Sequence, residues 1–495
     1  MRSPSTLRHG RIPIAVLLLA LGGFGLRAGA QPAKQTQPLD FDGGFDTRIR
    51  QVSRVNLLDF DRAIDWNHDD IALNDGSGLA SDADLFRVRH RLWGQFRLRS
   101  GPRLYARLTT EWWRFVNPWR WNPSTSGKTE VILDNLYLDI PKVPYIPGSL
   151  RIGRQDIVRG EGFILLEGGP LDGSRSIYQN AILLGLDGQK LRLAKTKLEL
   201  MAIRNLAWDP MVIVNGPKDA EKAAGKRKIV EWNETAFGLY VTQTSLPKQA
   251  IEGYWIYKEQ ELSSAKDPFL KLSTVGARVS GELPQSLRFA AEGAYQFGTG
   301  HTTGVVEEAL GFESDFDHRS YGGYAWLSRS FIAMLHPTIK LGAVYLSGDD
   351  PDDRDAADPI DQGWVPVFSR WPEWSELYIY TQLDEAPLSA YAEPQLGGGR
   401  FIAYWTNLRS LNAAVTIQPS GALKLSYTYH ALHAPQANSS APGHSRGCLH
   451  EWLATTDLGR HTSMHFLIER FKPGDFYSHR VDDAWFIRTE LMLKY

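Results

Sequence analysis

The chain has a single cysteine, Cys448, among 495 residues, so no internal disulfide can hold it together. Beyond its first thirty residues it has no apolar run of about 20 residues, the length a membrane-spanning helix needs; charges interrupt every candidate. It has almost no net charge: 55 Lys and Arg against 56 Asp and Glu give -1, which points to no nucleic-acid partner. Helical periodicity of any length is missing, and so is a linker that would split the chain. A large chain without these supports needs another kind of closure, and a closed hydrogen-bonded sheet supplies one.

The first thirty residues read as an export signal. Arg2, Arg8, His9 and Arg11 form a basic start, Ile14 to Leu21 a short apolar core, and Ala28-Gly29-Ala30 a small-residue cleavage site. The alternative is an uncleaved anchor, but the apolar run is too short to span a bilayer. The expected organisation is a signal peptide over 1–30 and one domain over 31–495, acting outside the cytoplasm.

What is abundant is aromatic and alternating. Aromatics make up 11%, with 16 Trp and 19 Tyr, enough for membrane-interface girdles. The mean hydropathy of -0.30 looks soluble, yet a barrel has such a value when half of each strand faces water. From Leu85, Phe86, Val88, His90, Leu92, Phe96 and Leu98 lie on one face, and Arg87, Arg89, Arg91, Trp93, Gln95, Arg97 and Arg99 on the other. This is the period-two pattern of a half-apolar strand. Ser100-Gly101-Pro102 marks a turn. Leu104, Ala106 and Leu108 then alternate with Arg103, Tyr105, Arg107 and Glu111.

The same grammar recurs. Leu191 and Leu193 alternate with Lys190 and Arg192; a turn at Ala194-Lys195-Thr196 leads into Leu198, Leu200 and Ala202. Val275, Ala277 and Val279 flank Gly276 and Arg278, and Phe289 to Phe297 alternate with Arg288, Glu292 and Gln296. A Pro419-Ser420-Gly421 turn precedes Leu423 to Tyr429, set against Lys424, Ser426, Thr428 and His430. Short turns alternate with long polar connections such as 208–232 and 348–374, as outer-membrane barrels require. The last strand places Thr489, Leu491, Leu493 and Tyr495 on one face and ends on an aromatic residue. The fold class is therefore all-β, a large transmembrane β-barrel, in preference to a secreted sandwich or propeller.

The arginines carry the chemistry. Arg87, Arg89, Arg91, Arg97, Arg99, Arg103 and Arg107 share one face of two adjacent strands. A charge facing lipid costs about 2–4 kcal/mol at the midplane, so this face is expected to line the lumen. Such a lining concentrates anions and repels cations. The competing reading has these arginines only bracing the wall through acids such as Glu111, Glu199 and Glu292. Arg151, Arg154, Lys190, Arg192, Arg278, Arg288 and Lys424 are further lumen candidates. Arg151 has lumenal parity; Arg154 shares that of Leu150 and Ile152 and needs a bulge to face inward.

Enzyme and metal readings are weaker. His461 and Ser463 could pair on one strand face as in a barrel lipase, without an oxyanion-hole motif. His430, His433, His444, Cys448 and His450 fit no standard zinc spacing and read as a solvated loop. Asp349, Asp350, Asp352, Asp353, Asp355, Asp358 and Asp361 form an acidic loop that could hold Ca²⁺, though it lacks the EF-hand pattern and reads rather as solvated surface.

Several segments resemble the alginate-export outer-membrane channels: Arg151-Ile152-Gly153-Arg154-Gln155-Asp156 followed by Arg159-Gly160-Glu161, Asp187 to Leu191, Leu346 to Asp349, Phe368 to Glu376, and Phe471 to Phe476. The resemblance runs over most of the chain after residue 30, although the loop Phe163 to Ile182 is more apolar and Gly-rich than it leads one to expect. It implies a monomeric barrel of about 18 strands in the outer membrane of a Gram-negative bacterium, in contact with membrane lipid and lipopolysaccharide and inserted by the barrel-assembly machinery. It further implies passage of an anionic polysaccharide, loops that gate the mouths, a periplasmic scaffold as partner and no enzymatic activity. A general or uptake porin, or a plugged barrel with an enzymatic or structural role, is the alternative.

Overall fold

A strand apolar on alternate residues can satisfy a membrane on one side only, and its backbone groups must all find partners in neighbouring strands. The chain meets both demands by closing its sheet. The computed structural model describes residues 39–55, 83–98, 101–117, 130–166, 178–206, 212–214, 233–261, 268–301, 315–350, 360–369, 406–437, 443–476 and 483–495; the export-signal expectation for 1–30 lies outside them.

The strand segments are β1 (Leu39–Val55), β2 (Ala83–Leu98), β3 (Arg103–Asn117), β4 (Glu130–Ile140), β5 (Gly148–Gln155), β6 (Gln179–Asp187), β7 (Thr196–Asn205), β8 (Val212–Val214), β9 (Asn233–Gln243) and β10 (Gln249–Glu261). They continue with β11 (Pro268–Leu283), β12 (Leu287–His301), β13 (Asp315–Ser330), β14 (Thr338–Leu346), β15 (Ile360–Asp361), β16 (Leu408–Ile417), β17 (Leu423–His433), β18 (Ser445–Gly459), β19 (Thr462–Pro473) and β20 (Ala484–Lys494). Two are accessory: β8 pairs with Val131 and Ile132 of β4, and β15 lies parallel to β13. The remaining eighteen form a closed antiparallel barrel. Short turns such as 244–248, 284–286 and 418–422 join strands at one end, where β1 begins and β20 ends. The long connections gather at the other.

Alternation sorts the residues as the sequence suggested. On β2, Phe86, Leu92, Phe96 and Leu98 are exposed on the outer face, while Arg87 and Arg89 are buried on the inner one. On β12, Tyr295 and Phe297 point outward and Ala290, Glu292, Ala294 and Gln296 are buried inside.

One strand departs from its expected place. Lys190 to Leu193 is not a strand. Gly188–Leu191 is a 3-10 turn capped by the Asp187 carboxylate, and Arg192 closes it in the left-handed region. Lys190 and Arg192 are therefore exposed at the turn end. The true strand, β6, lies just upstream and pairs with β5 and β7. Its inner residues Ala181 and Leu183 are as apolar as its outer ones, because they pack on chain folded into the barrel. That removed the alternation by which a strand is recognised.

The seam is made by β1 and β20, with Asp46 opposite Lys494 and Val55 opposite Trp485. Phe45 and Tyr495 exchange backbone hydrogen bonds of 2.8 and 2.9 Å. The Tyr495 ring stacks on Phe45 at 4.9 Å and on His461 at 5.1 Å. Gly44 makes the approach possible, since a Cβ there would lie 2.3 Å from the Tyr495 carbonyl oxygen. Deleting Leu491 to Tyr495 should abolish assembly, because an open edge in lipid leaves unpaired groups at several kcal/mol each. The readout is the loss of the heat-modifiable band on electrophoresis; a normal band in the deletion variant would contradict this account of the seam.

Candidate functional site

The inner face of β20, β1, β2 and β3 is crowded with guanidiniums. Arg48, Arg50, Arg87 and Arg89 are all buried there. Arg50 donates to Glu490, Arg87 pairs with Glu111 at 2.9 Å, and Arg89 with Asp46 at 3.3 Å. Arg488 donates to His465 at 2.9 Å. Arg91, half-buried, continues the row on β2. Arginines at every second position fall on one face because the strand period is two, and carboxylates on neighbouring strands meet them across the sheet.

Toward the turn end the pairing is denser. β4 carries a bulge, so that Arg107 faces Asn135 while Leu108 faces Leu133. The extra residue, Asp134, is fully buried. It accepts from Arg107 Nε at 3.0 Å and Thr109 Oγ1 at 2.8 Å. Arg107 also meets Asp156 at 2.9 Å. Asp139 is shared by Arg103 at 2.9 Å and Arg151 at 3.3 Å. Trp93, Tyr105 and Tyr137 stack in a row across these strands, and Arg151 covers the last ring at 4.6 Å. The ring faces are spent on one another, so the row stiffens the wall.

On the far side of the barrel two segments fold inward. After β5, residues Asp156 to Leu166 enter the interior; after β14, Ile360 to Ser369 do the same. They join where the Leu166 N–H donates to the Phe368 carbonyl at 3.0 Å and the Phe368 N–H to that of Ile164 at 3.1 Å. Phe163 stacks on Trp364 at 5.1 Å and meets Tyr324 edge-on at 5.6 Å. Ile157, Phe163, Ile164, Leu165, Trp364, Val367 and Phe368 form an apolar core inside the barrel.

Polar contacts pin that core to the wall. Arg159 pairs with Glu199 of β7 at 2.9 Å. Gln296 of β12 donates to the Val365 carbonyl at 2.7 Å and accepts from the Val365 N–H at 3.0 Å. Glu161 accepts from Trp326 Nε1 of β13 at 2.8 Å. Lys258 of β10 pairs with Glu234 at 2.7 Å and sits 4.5 Å from the Phe368 ring centre. Beside them Arg278 is surrounded by Glu161, Glu252 and Glu292. In a ring of eighteen strands β12 stands opposite β2, so this inward core faces the arginine row.

The expected residues divide accordingly. Arg87, Arg89, Arg103, Arg107, Arg151 and Arg278 lie on the inner face, each with a carboxylate partner. Arg97 is exposed near the turn end, and Arg99 lies outside the described residues. Arg288 and Lys424 keep inner parity but are exposed at the turn end of β12 and β17. Arg154 is buried within the wall, donating to the Leu133 carbonyl at 2.8 Å and Asn180 at 3.1 Å and covering the Tyr178 ring at 3.9 Å. Gly153, at φ +127°, sets this up, since a Cβ there would lie 2.2 Å from the Leu136 carbonyl oxygen.

The sequence missed Arg48, Arg50 and Arg488, as well as Asp134, whose inward direction comes from a bulge that strict alternation cannot foresee. The histidine-rich stretch is not a single loop: His430 is inside on β17, while His450 and Cys448 are on the outer face of β18. His461 lies in a turn, its ring bonded to the Lys494 carbonyl at 2.8 Å, rather than beside Ser463 on one face. In the acidic loop, Asp349 accepts from the Gln362 N–H at 3.0 Å; Asp352, Asp353, Asp355 and Asp358 lie outside the described residues. Among the described residues no three His, Cys, Asp or Glu are grouped to hold a metal ion.

A family model described as alginate export matches residues 81–439, well over half of the chain. The chain belongs to the alginate export family. No curated protein matches it. Among solved structures it is similar to Pseudomonas aeruginosa OccK11 (OpdR), with 12% identity and a TM-score of 0.47 over 92% of this chain and 95% of that one. It is also similar to OccK5 (OpdH) of the same organism, with 11% identity and a TM-score of 0.49 over 92% and 98%. A third is P. aeruginosa OccK2 (OpdF) in complex with glucuronate, with 12% identity and a TM-score of 0.49 over 92% and 96%. Family and barrel make this an outer-membrane channel.

The inward core should then bound the pore. Replacing Phe163 and Trp364 together with alanine removes the stacked pair, and losing a buried aromatic ring costs about 3–5 kcal/mol. The expected outcome is a larger, noisier single-channel conductance in a barrel that remains heat-modifiable. An unchanged conductance would mean that these segments do not bound the path.

Proposed function

We propose that the channel passes an anionic polysaccharide, or another anionic solute, passively along the arginine face. The observation that carries this reading is the cluster on β20, β1, β2 and β3. There Arg48, Arg50, Arg87, Arg89, Arg91 and Arg488 gather on one face, with Asp46, Glu111 and Glu490 among their partners. Guanidinium stays charged at any physiological pH and pairs with carboxylates through two parallel donors. Low-dielectric walls focus such a field and raise the local concentration of anions. The apolar core opposite offers a polyanion nothing, which leaves the arginine side as its route.

The same reading sets the protein in the outer membrane of a Gram-negative cell as a monomer, inserted by the barrel-assembly machinery. A periplasmic scaffold would deliver the polymer. A second reading has one observation in its favour. Because Arg87, Arg89, Arg103 and Arg107 all have carboxylate partners, the row could be a neutralised brace in a general porin.

Reversal potential under a salt gradient separates the two. The wild type should prefer anions. Arg89→Glu with Arg91→Glu should abolish or invert the preference while the barrel still folds, because inner positions tolerate charge. The effect should be largest at low salt, since fields are screened over about 10 Å at 0.1 M. A wild-type reversal potential of zero would end the anion reading and favour the brace.

A further inference from the structure

Toward the long-loop end the outer face of the barrel carries charge: Arg204 pairs with Glu261 and Arg319 with Asp317, whereas the charged residues described on the outer face of β16 to β19 are basic. On β16, Leu411 and Val415 are exposed outward and are followed toward that end by Arg409, also exposed. On β17, outward Leu425, Tyr427 and Tyr429 lead to exposed His433. On β18, outward Trp452 leads to His450 and Cys448; on β19, Phe466 leads to Arg470 and Lys472.

Cross-strand register makes these one patch. Arg409 is opposite His433, Ala431 opposite Cys448, Cys448 opposite Lys472 and His450 opposite Arg470. Aromatic residues border it on both sides: Tyr345 lies opposite Arg409, and Arg470 covers the Trp485 ring at 5.3 Å. Tyrosine and tryptophan gather where membrane meets water, so the patch lies at head-group depth. The long-loop end is the outer one, because periplasmic turns are the short ones. Among the described residues the acid bonded into the patch is Asp483, paired with Arg470. Arg409 and Lys472 have no carboxylate partner among the described residues.

Unpaired cations on a lipid-facing wall are costly unless the lipid supplies the counter-charge. We propose that Arg409, His433, Arg470 and Lys472 form a binding site for the phosphorylated head group of lipopolysaccharide in the outer leaflet. Arg409, Arg470 and Lys472 supply charge and the His433 imidazole a further donor, while the His450 ring is held by Tyr427 Oη at 2.9 Å. Four strands at about 4.8 Å spacing give a strip about 14 Å wide. That is wider than one phosphodiester head group and suits a disaccharide with a phosphate at each end. Tyr427, Tyr429 and Trp452 then lie beneath, against the first methylenes of the acyl chains. The site is on the outside of the wall, so it does not depend on what the lumen carries.

The test uses the full chain in detergent, with bound lipid measured by native mass spectrometry. The variant is Arg409→Glu with Lys472→Glu, which breaks no ion pair and leaves Arg470 with Asp483. The control is Lys142→Glu with Lys190→Glu at the turn end. Bisphosphorylated lipid A should bind the wild type and the control alike and the variant at least tenfold more weakly. Dephosphorylated lipid A and phosphatidylglycerol should bind the wild type at least severalfold more weakly than lipid A. Lipid A binding that survives in the variant, or phosphatidylglycerol binding as tightly as lipid A, would overturn the proposal. Because the reversal potential should be the same in variant and wild type, failure here is distinguishable from failure of the anion-channel reading.

Discussion

Everything in this molecule depends on the fact that hydrocarbon offers a backbone no hydrogen bonds. An open sheet edge in lipid would strand a row of N–H and C=O groups, so the last strand must find the first. The β1–β20 register meets that requirement. Once the sheet is closed, each strand has an outside that tolerates little but apolar side chains and an inside almost free of that restriction. The buried arginines of β1 and β2 are a consequence: no other face of these strands could hold them.

Freedom from lipid does not free the inner face from electrostatics. A buried cation needs a partner, since an uncompensated one is strongly destabilising. The wall answers with carboxylates from adjoining strands and, at Asp134, with a bulge that turns an extra acid inward between Arg107 and Thr109. The outcome is graded. Toward the turn end Arg103, Arg107 and Arg151 share Asp134, Asp139 and Asp156. Higher up, Arg48, Arg50, Arg87, Arg89, Arg91 and Arg488 gather, with Asp46, Glu111 and Glu490 among their partners.

Sequence reading works where a residue's environment follows from its parity and fails where a third element intrudes. The β2–β3 hairpin was legible because water or small polar partners lie inside and lipid outside, so chemistry alternates with geometry. β6 was not, because Ala181 and Leu183 pack against chain folded in from elsewhere and become as apolar as the outer residues. Lys190 and Arg192, which alternation places on a strand, lie instead in a capped 3-10 turn. The apolar character of Phe163 to Leu166 was visible as an oddity in a loop; its meaning needed the partner segment around Trp364, some two hundred residues away. Arg48 and Arg50 lie near the start of the barrel, where Gly43, Gly44 and scattered acids blur the alternation.

The apolar core inside the barrel and the arginine row opposite it are best understood together. A barrel of eighteen strands encloses more space than its own side chains fill. Space left open admits water, and water screens the very charges that would attract an anion. Folding two segments in against β7 to β14 removes water from that half and replaces it with a low-dielectric body. Field lines from Arg48, Arg50, Arg87 and Arg89 are then confined to a narrower aqueous path instead of spreading through the whole lumen. In the anion-channel reading, the pins that hold the segments, Arg159 on Glu199 and Gln296 on Val365, would act on the path at one remove. By excluding water from that half of the lumen, they would set how much of it separates a passing anion from the arginines.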